Sequence, residues 1–187
     1  FLEISIDEKD EKLARLDWSV AERLSLVDAM KKADLPIRSM CLSGHRKYPL
    51  GSADPAIRVR GMEIMEKAIQ LADDLGVRVI QLAGYDVYYE ESTAESKARF
   101  LENLKKAVEM AAVRGIMLGF ETMETEFMNT VWKAMFYVNR IGSPYLGVYP
   151  DSGNLTNAAL TGKGSVLDDL ESGRGHIVAL HLKETVP

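Results

Sequence analysis

Short apolar runs alternate with helix-like stretches along the whole of this chain. That alternation constrains the fold more than any other feature. The runs are Phe1 to Ile6, Ile37 to Ser43, Val77 to Gly84, Ile116 to Met123, Tyr145 to Tyr149 and Ile177 to Lys183. Between them lie stretches with helical spacing and helical punctuation. Ser19 with Glu22 forms a capping box, and the helix it opens runs to about Ala33. Asp54-Pro55 opens a longer helix that stops at Gly76. Ser92 with Glu95 predicts a third start, with a stop at Gly115. A fourth helix spans about Asn129 to Ile141 before Gly142, and shorter helical pieces follow near Leu155–Leu160 and Ser165–Leu170. Strict strand–helix alternation means a parallel sheet with helical crossovers.

Two architectures fit such a sheet, a (β/α)8 barrel and an open doubly wound sheet. No G-x-G-x-x-G loop follows the first run, which counts against the open sheet. Polar residues at the ends of the runs favour the barrel, whose sites are assembled at the C-terminal edge from several strands. Six strands would be a barrel lacking two. The first residue is Phe1 and already reads as strand, so the expectation is one TIM-barrel domain over residues 1–187, cut short at both ends.

Three runs end in a side chain able to bind a metal: Glu121 in Gly-Phe-Glu-Thr-Met, Asp151 in Tyr-Pro-Asp-Ser-Gly-Asn and His181 in Ala-Leu-His-Leu-Lys-Glu. Their spacing is 151−121 = 30 and 181−151 = 30, about one strand-plus-helix unit. Each has an ordinary reading as well: a buried carboxylate satisfied by a neighbour, a turn residue, a core histidine. As a set they point to a cation, because two carboxylates buried together are costly unless one joins them. Carboxylate oxygen with imidazole suits Mn2+, Zn2+, Co2+ or Mg2+. Strand parity sets Glu121 with Gly119, Asp151 with Gly147 and His181 with Ala179. These small residues leave room for a ligand, and Gln81, Glu3 and Ser5 can face the same interior.

Composition limits the partners. Lysine and arginine number 23 against 28 aspartate and glutamate, a net charge of −5 with no basic stripe, so nucleic acid and acidic membranes are disfavoured. No apolar run approaches a membrane span. The single cysteine, Cys41, rules out a disulfide framework and fits a reducing cytoplasm. The basic loop His45-Arg46-Lys47 is either solvated or a phosphate site. Tyr85, Tyr88 and Tyr89 either wall a sugar pocket or pack a loop or homodimer contact.

Several segments carry a resemblance across the chain: Glu3-Ile4-Ser5-Ile6-Asp7-Glu8, Arg15-Leu16-Asp17-Trp18-Ser19, Ser39 to Arg46, Val79 to Tyr89 with its tyrosine loop, Tyr149 to Leu155, and Gly175 to Lys183. In these the chain resembles the L-ribulose-5-phosphate 3-epimerases (L-xylulose-5-phosphate 3-epimerases) among the xylose-isomerase-like barrels. The resemblance implies a (β/α)8 barrel of which the six runs are strands two to seven. It also implies one divalent metal on Glu121, Asp151 and His181, with a second glutamate from an eighth strand beyond Pro187. The implied activity is epimerisation at carbon 3 of a ketopentose 5-phosphate through an enediolate, with Glu121 as one of two proton-transfer carboxylates. His45 and Asn154 are the implied substrate contacts, and Lys183 reads as a charge partner of the substrate or of Glu184. Related epimerases of free ketoses have a histidine where Asn154 stands, which speaks for a phosphorylated substrate. A sugar-phosphate aldose–ketose isomerase and a metal- or sugar-binding barrel without catalysis are the alternatives.

Overall fold

The first five runs all alternate in character, and the two faces they make decide where everything else sits. The computed structural model describes residues 1–162 and 164–185. Its strands are β1 (Leu2–Ile6), β2 (Ile37–Leu42), β3 (Val79–Ala83), β4 (Met117–Glu121) and β5 (Leu146–Tyr149). They form one parallel sheet in the order β1-β2-β3-β4-β5. Ser5, Cys41, Gln81, Gly119 and Gly147 stand in one row across it.

With side chains alternating along a strand, one face carries Ile4, Ile6, Met40, Leu42, Ile80, Leu82, Leu118, Phe120, Leu146 and Val148. All ten are buried in the main core together with helix residues such as Ile64, Met65, Ala68, Leu104, Ala107 and Val138. The opposite face carries Glu3, Ser39, Cys41, Gln81, Gly119, Glu121, Gly147 and Tyr149. The site therefore forms on the face away from the helices.

The helices are α1 (Asp10–Leu13), α2 (Val20–Ala33), α3 (Pro55–Leu75), α4 (Ala94–Val113), α5 (Val131–Ile141), α6 (Ser152–Gly162) and α7 (Val166–Ser172). Among the described residues, none is long and apolar enough to cross a membrane. Ser19 and Glu22 form the predicted capping box on α2, Asp54 caps α3 ahead of Pro55, and Gly76 and Gly142 take the left-handed conformation that ends α3 and α5. The cap of α4 differs from expectation. Thr93 and Ser96 form the reciprocal pair, while Ser92 donates its hydroxyl hydrogen to Asp86 Oδ2. The buried carboxylate of Asp86 recruits Ser92 and Ser96 together, and that shifts the helix start by one residue.

The sixth run does not become a regular strand. It meets β5 through two parallel bridges, Val148 with Ile177 and Asp151 with His181. The offset is 177−148 = 29 at the first and 181−151 = 30 at the second, a slip of one residue. Val148 donates to His176 and accepts from Val178 in the usual parallel pattern. The next donor would be Pro150, which has no N–H, and the pairing resumes one residue late, with the His181 amide donating to the Pro150 carbonyl.

Candidate metal centre

The slip at Pro150 sets the geometry of the site. Parity along an unbroken strand would keep Val178 and His181 on opposite faces. Instead, both turn toward the polar face, Val178 over Gly119 and Gly147, and His181 toward Glu121. The small residues below the candidate ligands therefore do not leave space for a ligand. A Cβ on Gly119 would come within 2.7 Å of Val178 Cγ2, and one on Gly147 within 2.5 Å of the His176 oxygen and 2.6 Å of Val178 Cγ1. Their bareness lets the incoming segment lie close.

Glu121 ends β4, Asp151 follows β5 by two residues, and His181 sits at the second bridge. Ligand atoms of the three lie within 4.8 Å of one another. His181 Nδ1 is 3.1 Å from Glu121 Oε1 and 3.9 Å from Asp151 Oδ2. The carboxylate residues are 7% and 1% exposed.

Asp151 is held from both sides. Its amide donates to the Thr122 hydroxyl at 2.9 Å, and its Oδ1 accepts from the Asn154 amide at 3.0 Å at the start of α6. Its Oδ2 is left buried, with no aligned hydrogen-bond donor. Lys183 reaches the same oxygen as an ion pair, and its Nζ lies 3.6 Å from Glu121 Oε1. The contact to Oδ2 is a charge contact and not a directional hydrogen bond, which reconciles the two observations. The Lys183 backbone is clasped by Ser152, whose hydroxyl accepts from its amide at 2.8 Å and donates to its carbonyl at 3.0 Å.

His181 faces a carboxylate on each ring nitrogen. Its Nε2 is 3.4 Å from Glu3 Oε1. Hydrogen bonds to Glu121 and then to Glu3 push its pKa up to about 9 in the metal-free protein, against the opposing effect of burial. Burial pushes the Glu3 carboxyl up, but hydrogen bonds from His181 and Ser39 outweigh it and hold Glu3 below the usual carboxylate range. Burial first, and the carboxylates of Glu121 and Glu3 second, push the nearby Cys41 thiol up to about 12, so it stays a thiol. Two buried carboxylates and an imidazole whose ligand atoms lie within 4.8 Å of one another fit a divalent cation of hard to borderline character.

Of the predicted substrate contacts, Lys183 brings its ammonium to this centre, where it pairs with Asp151. Asn154 adjoins it, but its Nδ2 donates to the Thr122 carbonyl at 2.8 Å. His45 is turned away into packing. It is 6% exposed, with Nε2 3.0 Å from the Gly61 carbonyl oxygen in α3. Burial pulls its pKa down to about 4, so it is neutral and offers no charge to a phosphate. Arg46 lies over the rings of Tyr88 and Tyr85, at 4.9 and 5.7 Å from their centroids. Tyr85 is buried and donates to Glu124, so the tyrosine loop packs against itself and its neighbours.

The family model for the xylose isomerase-like TIM barrel matches residues 1–187. The chain belongs to the xylose isomerase-like TIM-barrel family. Among curated relatives, it is 49% identical over 187 residues to the L-ribulose-5-phosphate 3-epimerase UlaE of Escherichia coli O157:H7 and to that of Shigella sonnei. The match takes in 100% of this chain and 64% of each relative, so the chain spans just under two thirds of their length. Solved structures share the fold at low identity. A D-psicose 3-epimerase superposes with a TM-score of 0.80 at 18% identity, covering 96% of this chain and 61% of its own. An L-ribulose 3-epimerase superposes with a TM-score of 0.74 at 18% identity, covering 96% and 68%. The five-stranded sheet and its helices are thus part of a barrel of this family.

Some residues that build the centre escaped the sequence. Thr122 reads as the tail of a strand, yet it is fully buried and receives the Asp151 amide. Ser39 and Ser152 look like ordinary strand and turn serines. For Ser39, no local signal exists, because its partner Glu3 is 36 residues away and meets it only through a register shift between β1 and β2. For Ser152, no local signal exists either, because its partner is 31 residues away.

Proposed function

We propose that the complete protein epimerises carbon 3 of a ketopentose 5-phosphate, interconverting L-ribulose 5-phosphate and L-xylulose 5-phosphate. The carrying observation is the convergence of Glu121, Asp151 and His181 at one edge of the polar face, in a chain 49% identical to relatives named for that activity. Epimerisation removes a proton beside the carbonyl and returns one to the opposite face. A divalent cation held by Glu121, Asp151 and His181 would supply Lewis-acid stabilisation to the oxygens of the enediolate. Glu121 takes the carbon-3 proton, since its carboxylate is the base that stands at this centre without being tied up in capping a helix. Asp151 also caps α6, and the one lone pair of a neutral His181 is taken by the cation, whereas the Glu121 carboxylate keeps a second oxygen for the proton. The proton returned from the other face requires a second acid, which the epimerase likeness assigns to a glutamate of a later strand. Lys183, about half exposed beside both carboxylates, is placed to meet a substrate oxygen or its phosphate. A cytoplasmic setting suits a sugar phosphate and a lone unpaired cysteine.

The test is Glu121→Gln in the complete protein, assayed in D2O. Turnover is expected to fall by about 10²–10⁴-fold, the range general acid–base groups contribute, with the circular dichroism spectrum and Tm retained. The parent protein should place solvent deuterium at carbon 3. Near-parental turnover in the variant would remove Glu121 from the mechanism. Deuterium at carbon 1 or 2 alone would make the enzyme an aldose–ketose isomerase.

A further inference from the structure

We propose that Glu3 is a positioning residue for His181: it keeps the Nε2 proton in place and so presents the Nδ1 lone pair to the cation. The inference rests on the metal reading above and adds a residue to it that holds no cation itself.

A neutral imidazole has one lone pair, and the nitrogen that carries it is set by what the other nitrogen donates to. In His181, Nδ1 is the nitrogen that looks into the centre, 3.1 Å from Glu121 Oε1 and 3.9 Å from Asp151 Oδ2. The proton must then reside on Nε2. The group facing Nε2 is Glu3, with Oε1 at 3.4 Å. A carboxylate only accepts, so once a cation takes the place of the Nδ1 proton shared with Glu121, Glu3 holds the remaining proton on Nε2.

Glu3 is itself fixed. Its other oxygen, Oε2, accepts from the Ser39 hydroxyl at 2.6 Å. The register between β1 and β2 is irregular at this point. Leu2 stands opposite Ile37, but Glu3 stands opposite Ser39, so Arg38 is skipped. Such bulges re-aim side chains beside functional sites. Here the skip puts a hydroxyl across from the carboxylate instead of a guanidinium, which would otherwise claim it. The ring plane of His181 is set from a third side by Tyr149, packed edge-on with centroids 4.8 Å apart.

The experiment is Mn2+ titration by calorimetry of the complete protein as parent, Glu3→Ala, Glu3→Gln and Ser39→Ala. Loss of an outer-shell partner of a ligating histidine weakens metal binding by about 10–100-fold, and that is expected for Glu3→Ala. Glu3→Gln should recover most of the affinity, because its amide oxygen still accepts from Nε2–H. Ser39→Ala should lie between the parent and Glu3→Ala. In the Zn2+-loaded protein with ¹⁵N-labelled histidine, an exchange-protected Nε2–H signal from His181 should be present in parent and Glu3→Gln, and absent in Glu3→Ala. Affinity within threefold of parent in Glu3→Ala overturns the proposal. So does Glu3→Gln binding as weakly as Glu3→Ala, which would mean that only the charge of Glu3 matters. A parent that takes up no Mn2+ overturns the metal reading, and the two failures are thereby distinguishable.

Discussion

His45 shows how much of a residue's meaning depends on what covers it. In the sequence it sits in a basic, glycine-bounded loop and reads as a contact for substrate. In the folded chain that loop is a helical turn, Gly44–Arg46, pressed on α3. The close approach is possible because α3 has Gly61 there; a Cβ would come within 2.5 Å of the Tyr48 oxygen. A mid-helix glycine reads locally as a weakness, so nothing in the sequence pointed to His45 as its neighbour. Burial lowers the His45 pKa from an ordinary 6.5 to about 4. Between those values the unfolded chain binds a proton that the folded one does not. His45 therefore supports folding above pH 6.5, and that contribution is lost as pH falls toward 4. The shift corresponds to a loss of up to about 3 kcal/mol across the window. Urea midpoints of parent and His45→Asn, measured at pH 7.5 and pH 5, check this. The parent should lose more stability than the variant between the two pH values; equal losses would mean that His45 titrates normally.

At the scale of elements, the decisive feature is the approach of residues 176–181 to β5. The sequence carries half of the reason openly, since Pro150 cannot donate to a neighbouring strand. The other half, that pairing resumes one residue late, depends on Ser152 clasping Lys183 and on Val178 finding room. No parity rule applied along a single strand anticipates that. Gly119 and Gly147 were legible as small, but not as the floor under Val178. Gly119→Ala should therefore cost about 1–3 kcal/mol through overpacking, because its Cβ would lie 2.7 Å from Val178 Cγ2. Val178→Ala removes that methyl and should suppress much of the cost. The two changes together should be less destabilising than their sum. Chemical denaturation of both single variants and the double variant reads the coupling. Strict additivity would show that Val178 is not what the glycine accommodates.

For the whole molecule, strand–helix alternation was enough to obtain a parallel sheet in sequential order, one apolar face under the helices and the candidate residues at a single edge. Side-chain period and cap chemistry carry that information locally. The tertiary dependencies were not local: the Thr122–Asp151 bond, the Glu3–His181 pair and the cap shifted by Asp86. The centre joins the end of β4, the turn after β5 and the 177–183 segment, the last of which meets β5 only through two isolated bridges. A cation bound there stabilises the folded state alone, because the unfolded chain does not hold the three groups together. At a free concentration 100 times Kd the gain is about 2.7 kcal/mol. For a domain of about 150–250 residues that is a rise in Tm of about 5–11 °C, and less for a longer chain. Mn2+ in excess should therefore raise the Tm of the complete protein, and a chelator should return it. Asp151→Asn keeps an oxygen to cap α6 but lacks the charge, so it should keep most of the metal-free Tm and lose most of the metal-induced rise. A rise that survives in Asp151→Asn would place the stabilising cation elsewhere in the fold, and no rise in the parent would leave the buried carboxylate pair to Lys183 alone.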